Sequence, residues 1–119
     1  MMHPLVLVGV GGATGSILRY LIQQHVNTSS FPWGTFAVNV SGSLLLGILA
    51  GLLSKNLLTT QNSLLLMTGL CGGFTTFSSF SLENLHLLQQ QRWDIAAGYI
   101  ILSVGVGLLA TFAGYKLSS

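Results

Sequence analysis

The sequence predicts an all-α membrane protein: one transmembrane domain over residues 1–119, made of four spanning helices with the third broken near its middle, assembled as an antiparallel dual-topology homodimer. Three observations lead there. The chain carries only four Lys/Arg and two Asp/Glu while 50% of it is apolar, too little charge to clothe a soluble domain of this size. Apolar stretches near the roughly 20 residues needed to cross hydrocarbon recur along it. The few positive charges also divide evenly between the two expected membrane faces, Lys55 and Lys116 against Arg19 and Arg92. The formal charge of +2 comes from scattered residues rather than a basic run, so nucleic-acid binding is not indicated. One cysteine, Cys71, excludes an intrachain disulfide and a multi-cysteine metal site.

Helix 1 is expected over about residues 4–23, with Pro4 in its first turn, where a missing amide hydrogen costs little. Residues 5–10 resemble the apolar core of a secretory signal, but no Lys or Arg precedes them and apolar character continues to Ile22, so the helix is read as retained. A polar loop over 24–32 leads to helix 2, about 33–53, opened by Trp33 as an interfacial anchor and closed by Ser54, Lys55 and Asn56. Helix 3 spans about 60–89, with its break expected near 72–76, where Gly69, Gly72 and Gly73 meet Thr75, Thr76, Ser78 and Ser79. Helix 4, about 95–116, lies between Arg92 with Trp93 and Tyr115 with Lys116.

Small residues stand four apart at Gly11 with Gly15, Gly12 with Ser16, and Gly47 with Gly51. Such spacing lets helices approach closely in lipid. Packing within the bundle accounts for it first, and its abundance in only four helices also points to a second copy. With the N-terminus defining one face, Lys55 and Lys116 flank that face while Arg19 and Arg92 flank the other. The positive-inside rule then has almost nothing to act on: the chain could insert in both orientations and pair antiparallel, or take a single topology set by weaker cues.

Enzymatic chemistry is poorly supplied. Glu83, Asp94, His3, His25 and His86 are the only acids and histidines; Asp94 and His25 are expected in loops, and only Glu83 and His86 fall one turn apart, which is too little for a metal site of usual spacing. The chain is read as no enzyme. It offers neutral donors instead: Thr35, Asn39 and Ser43 at steps of four on helix 2, and Tyr99, Ser103, Thr111 and Tyr115 on helix 4, with Gly107 at the remaining step. Each hydroxyl alone is best read as bonding back to its own helix; two tracks together suggest a polar path, and without a central acid that path suits an anion. Arg19 is a functional suspect by its depth, or else snorkels to the interface or caps helix ends. Unwound backbone in the glycine-rich centre of helix 3 must line a cavity or be buried, and a cation is one partner for its carbonyls. Phe77 and Phe80 share a helix face. Aromatic edges are electropositive, although that spacing by itself reads first as packing.

The sequence resembles the Fluc (CrcB) family of fluoride channels at GGATGSILRY (11–20), GTFAVNVSGS (34–43), GLCGGFTTFSSF (69–80) and the helix 4 track. The resemblance implies a passive, fluoride-selective channel of the bacterial inner membrane, working as a dual-topology homodimer with two pores. It also implies roles: Phe77 and Phe80 as pore-lining rings, Asn39 as the pore asparagine, and Tyr99, Ser103 and Thr111 as the polar track. Gly107 departs from the serine that relatives can carry there, which leaves the track's continuity open. A structural Na+ at the dimer centre is implied on the backbone carbonyls of Gly72 and Thr75, with Arg19 and Glu83 as structural or vestibule residues. The alternative reading is a small dual-topology, proton-coupled multidrug exporter, which needs a central acid that helix 1 lacks.

Overall fold

The computed structural model describes residues 2–119. It is all-helical: α1 (Pro4–Val26), α2 (Trp33–Ser54), α3 (Thr60–Ser63), a π-helical segment (Leu64–Cys71), α4 (Gly72–Phe74), α5 (Phe77–Gln89) and α6 (Trp93–Ser118). Four stretches are long and apolar enough to cross a membrane: Pro4–Val26, Trp33–Ser54, Thr60–Gln89 and Trp93–Ser118.

Local chemistry sets the ends. His3 Nδ1 accepts the Leu5 amide at 3.1 Å and Pro4 occupies the first turn of α1. That helix runs three residues beyond the expected Gln23, because nothing stops it before Asn27 turns extended. His25 and Asp94, expected in loops, instead lie in the last turn of α1 and the first turn of α6. The Asp94 charge is favourable there against the helix N-terminus. Thr59 caps α3 through the Asn62 amide, and Thr76 caps α5 through the Ser79 amide, each at 3.1 Å. Between α4 and α5, Thr75 (φ −81, ψ 154) and Thr76 (φ −149, ψ 116) are extended.

Two glycine-lined seams hold the bundle together. Along the first, α1 lies against the π segment and α4, so a Cβ on Gly11 would strike the Leu65 carbonyl and one on Gly15 the Leu70 carbonyl. Along the second, α2 lies against α6: a Cβ on Gly47 would meet the Thr111 carbonyl, one on Gly51 the Ser118 hydroxyl, and one on Gly114 the Leu44 carbonyl. These glycines are therefore used inside one chain, and they carry no argument for a second copy. Leu87, Ala96 and Tyr99 form a buried cluster at the end of the bundle where α1 gives way to α2, packed by Phe31, Phe36 and Phe80. Leu5, Ile101, Leu108 and Leu109 point outward, as side chains facing lipid tails should.

Candidate functional site

Between α2, the third span and α6 runs a groove of about 360 Å³. Asn39, Ser43, Gly72, Thr75, Thr76, Phe77, Phe80 and Ser103 line it, with Leu46, Met67, Cys71 and Val104 as its apolar wall. Six of the residues given a site role by the resemblance thus come together, Asn39, Gly72, Thr75, Phe77, Phe80 and Ser103, and Ser43 of the helix 2 donor track joins them.

Their partners differ. Asn39 clasps both backbone polar groups of one residue, its Oδ1 accepting the Thr76 amide at 2.8 Å and its Nδ2 donating to the Thr76 carbonyl at 3.2 Å. An asparagine thus supplies both bonds that the extended Thr76 cannot make within a helix. Ser103 Oγ is buried with no hydrogen-bond partner among the described residues. Phe77 is 78% exposed, whereas Phe80 is half-buried, 5.7 Å from the Phe77 ring and 5.0 Å from the Tyr99 ring, centroid to centroid.

Tyr99 and Thr111 stand off the groove wall. Tyr99 is fully buried behind Phe80 and its hydroxyl donates to Glu83 Oε1 at 2.8 Å. Thr111 sits farther along α6, donating to the Ser43 carbonyl at 3.1 Å and to Gly107 of its own helix at 3.2 Å. Arg19 does not snorkel: its Nε donates to the Gly73 carbonyl at 3.1 Å, where the Ser16 hydroxyl also points.

Glu83 is the hub of a second cluster. Its Oε2 accepts from Thr35 Oγ1 at 2.5 Å and from Asn27 Nδ2 at 3.3 Å. Thr35 Oγ1 in turn receives Gln23 Nε2 at 3.0 Å, and Gln23 Oε1 receives Arg19 Nη1 at 3.5 Å. Because the Thr35 oxygen accepts from Gln23, its own proton is directed at the carboxylate. Sequence reasoning missed Gln23 and Asn27, which looked like ordinary polar residues near a helix end, and it read Ser16 only as a small packing partner of Gly12 although its hydroxyl points at the Gly73 carbonyl. Arg19 and Glu83, flagged separately, are joined through Gln23 and Thr35.

The carbonyls of the third span can be followed one by one. Cys71 O receives the Thr75 amide and hydroxyl, Gly73 O receives Arg19, and Thr76 O receives Asn39. The Gly72 carbonyl loses its usual helical donor, the Thr76 amide, to Asn39. The Thr75 carbonyl meets no donor among the described residues. Among these residues there is no group of three His, Cys, Asp or Glu that could hold a metal ion, so a cation at this place would depend on backbone oxygens.

Four membrane-length helices around a groove of neutral donors and aromatic rings make a multi-pass membrane protein. The chain belongs to the CrcB family: residues 6–115 match the family described as CrcB-like protein, Camphor Resistance (CrcB). Three bacterial relatives carry the name fluoride-specific ion channel FluC. That of Phocaeicola vulgatus is 45% identical over 120 residues, covering 98% of this chain and 99% of the relative. That of Flavobacterium psychrophilum is 47% identical, covering 95% and 94%, and that of Gloeothece citriformis is 47% identical, covering 98% and 97%.

Proposed function

We infer that this chain is a passive, fluoride-selective ion channel of the bacterial inner membrane, through which a cell loses fluoride. The near-full-length likeness to channels named for fluoride carries this reading. It is a channel and not an enzyme. The exporter alternative finds no support among the relatives. Fluoride is small and strongly hydrated, so a route for it must replace its water with donors. The groove offers the Ser103 hydroxyl, the second Asn39 amide hydrogen and the ring edges of Phe77 and Phe80. Tyr99 acts from behind by fixing the Phe80 ring, and Thr111, whose proton goes to the Ser43 and Gly107 carbonyls, ties α6 to α2 farther along. Fluoride efflux from liposomes holding only this protein is expected to be fast, to need no proton gradient and to exceed chloride efflux. Flux that appears only with a proton gradient and a cationic drug would restore the exporter.

We also propose that the chain works as an antiparallel dual-topology homodimer, and that the extended pair Thr75 and Thr76 is a functional break in the third span. The even division of Lys55 and Lys116 against Arg19 and Arg92 supports the first. C-terminal reporter fusions should appear on both faces of the membrane; a single orientation, unmoved by one added lysine, would sink it. For the break, the Gly72 and Thr75 carbonyls suit a hard cation such as Na+, which prefers oxygen ligands and would satisfy backbone left without donors. When bound, the ion supplies fixed positive charge and a tie between subunits. Exhaustive sodium removal should weaken dimerisation or abolish flux, and unchanged behaviour of both would overturn the assignment.

A further inference from the structure

We propose that Asn27, in the connection between α1 and α2, is the positioning residue that holds the Glu83 carboxylate in place behind the groove. This rests on the channel reading above. Asn27 ends α1, yet its side chain serves two other helices of the Glu83 cluster, α2 and α5. Its Oδ1 accepts the Thr35 amide at 3.0 Å, which is one of the first amides of α2 and has no donor-accepting side chain at its own cap, Pro32. Its Nδ2 donates to Glu83 Oε2 at 3.3 Å and to Thr35 Oγ1 at 3.4 Å. One amide group therefore caps α2 with its oxygen and fixes α5 with its nitrogen. The fit is tight enough to dictate a neighbour: a Cβ on Gly34 would lie 2.8 Å from Asn27 Oδ1 and 3.1 Å from the Gln23 Cα.

What Asn27 positions bears on the ion route through contact. Glu83 Oε1 receives the Tyr99 hydroxyl, and the Tyr99 ring lies against Phe80, which lines the groove. Pulling Oε2 away from Asn27 and Thr35 would turn the carboxylate and release Tyr99. The other titratable or charged groups around the cluster are Arg19 on α1, joined through Gln23, Tyr20 on α1, whose hydroxyl accepts from Gln24, His86 one turn beyond Glu83 on α5, and Arg92, bonded to the Ser29 and Ser30 carbonyls. None of them bonds Asn27.

Separating the two halves of the amide gives the test. Asn27→Asp keeps an oxygen for the Thr35 amide, so the cap on α2 survives, but sets a second carboxylate against Glu83. Two carboxylates that close take up a shared proton as pH falls, which restores a donor between them. Asn27→Ala removes cap and donor together and offers no proton site. Fluoride efflux from liposomes is compared with the parent at each pH, so that acid leak and changes common to both proteins cancel. Asn27→Asp should fall about tenfold below the parent at pH 8 and recover most of that on acidification to about pH 5.5; Asn27→Ala should be impaired by the same factor at every pH. Thermal unfolding of the same preparations should show the Asn27→Asp deficit closing over the same range, a readout that does not depend on conduction. A parent that fails to conduct would remove the channel reading and leave the unfolding test standing. An Asn27→Asp variant whose flux and unfolding track the parent at all pH values would overturn the positioning role, as would one as impaired and as pH-insensitive as Asn27→Ala.

Discussion

The glycine seams and the groove are built from the same helices in opposite ways. In the seams most glycines meet backbone, with the Thr111 carbonyl lying over Gly47 and the Leu44 carbonyl over Gly114, and the Ser16, Thr111 and Ser118 hydroxyls spend their protons on backbone carbonyls. In the groove side chains keep spare hydrogen-bonding capacity, among them the Ser103 hydroxyl, buried in the wall and unpartnered among the described residues. The difference teaches that stability and ion handling are assigned to separate residue sets. Substitutions in one should leave the other largely untouched.

Asn39 strains that separation most, since it lines the groove and also clasps Thr76. Asn39→Ala should orphan both Thr76 groups, each costing about 1–3 kcal/mol when buried, and should abolish flux as well. Unfolding followed by tryptophan fluorescence alongside efflux would detect both losses. Loss of flux with the unfolding midpoint unchanged would move Asn39 wholly to the ion side of the comparison.

Gly47→Ala probes the seam alone. Overpacking costs about 1–3 kcal/mol, and the upper end is expected because the neighbour is backbone that cannot swing aside. Gly105→Ala is the control, with nothing within 4 Å of the added methyl. Its unfolding midpoint should stay at the parent value, and a large drop would reveal a second copy packed on that face.

How much of this was legible in the sequence follows the same division. Spans could be read from hydropathy, and Gly11, Gly15, Gly47 and Gly51 from their spacing, because seams are periodic. Phe77, Phe80, Asn39 and Ser103 could be gathered from helix faces and resemblance. Helix periodicity could not reveal the π turns over Leu64–Cys71, which have no sequence signature. Nor could it reveal that Tyr99 spends its proton on Glu83, or that Asn27 reaches Thr35 and Glu83. Those bonds link residues distant in sequence, and the identity of a polar residue does not name its partner.

Phe77→Ile and Phe80→Ile sharpen the comparison within the groove. A swap of broadly similar bulk should cost about 1.5 kcal/mol or less. Phe77 should cost less than Phe80, being 78% exposed in the chain while Phe80 packs on Tyr99. Flux should fall by about tenfold or more in both, since about 1.4 kcal/mol at the barrier suffices for that. Two variants that fold and conduct like the parent would return both rings to packing.

Ser103→Ala is the smallest change and isolates one hydroxyl. A buried hydroxyl without a partner is a net cost to folding, so its removal should leave stability equal to the parent or slightly above it. If the ion passes here, that unpaired proton has a use: it replaces part of the water fluoride sheds, and losing it should slow efflux by about tenfold, equivalent to about 1.4 kcal/mol. Ser103→Thr keeps the hydroxyl and should retain more flux than Ser103→Ala despite its extra methyl. A protein made no less stable and yet slower would show that the hydroxyl is kept for the ion rather than for the fold. Equal flux in the parent and Ser103→Ala would place the route elsewhere in the groove and leave the unpaired hydroxyl without a physical account.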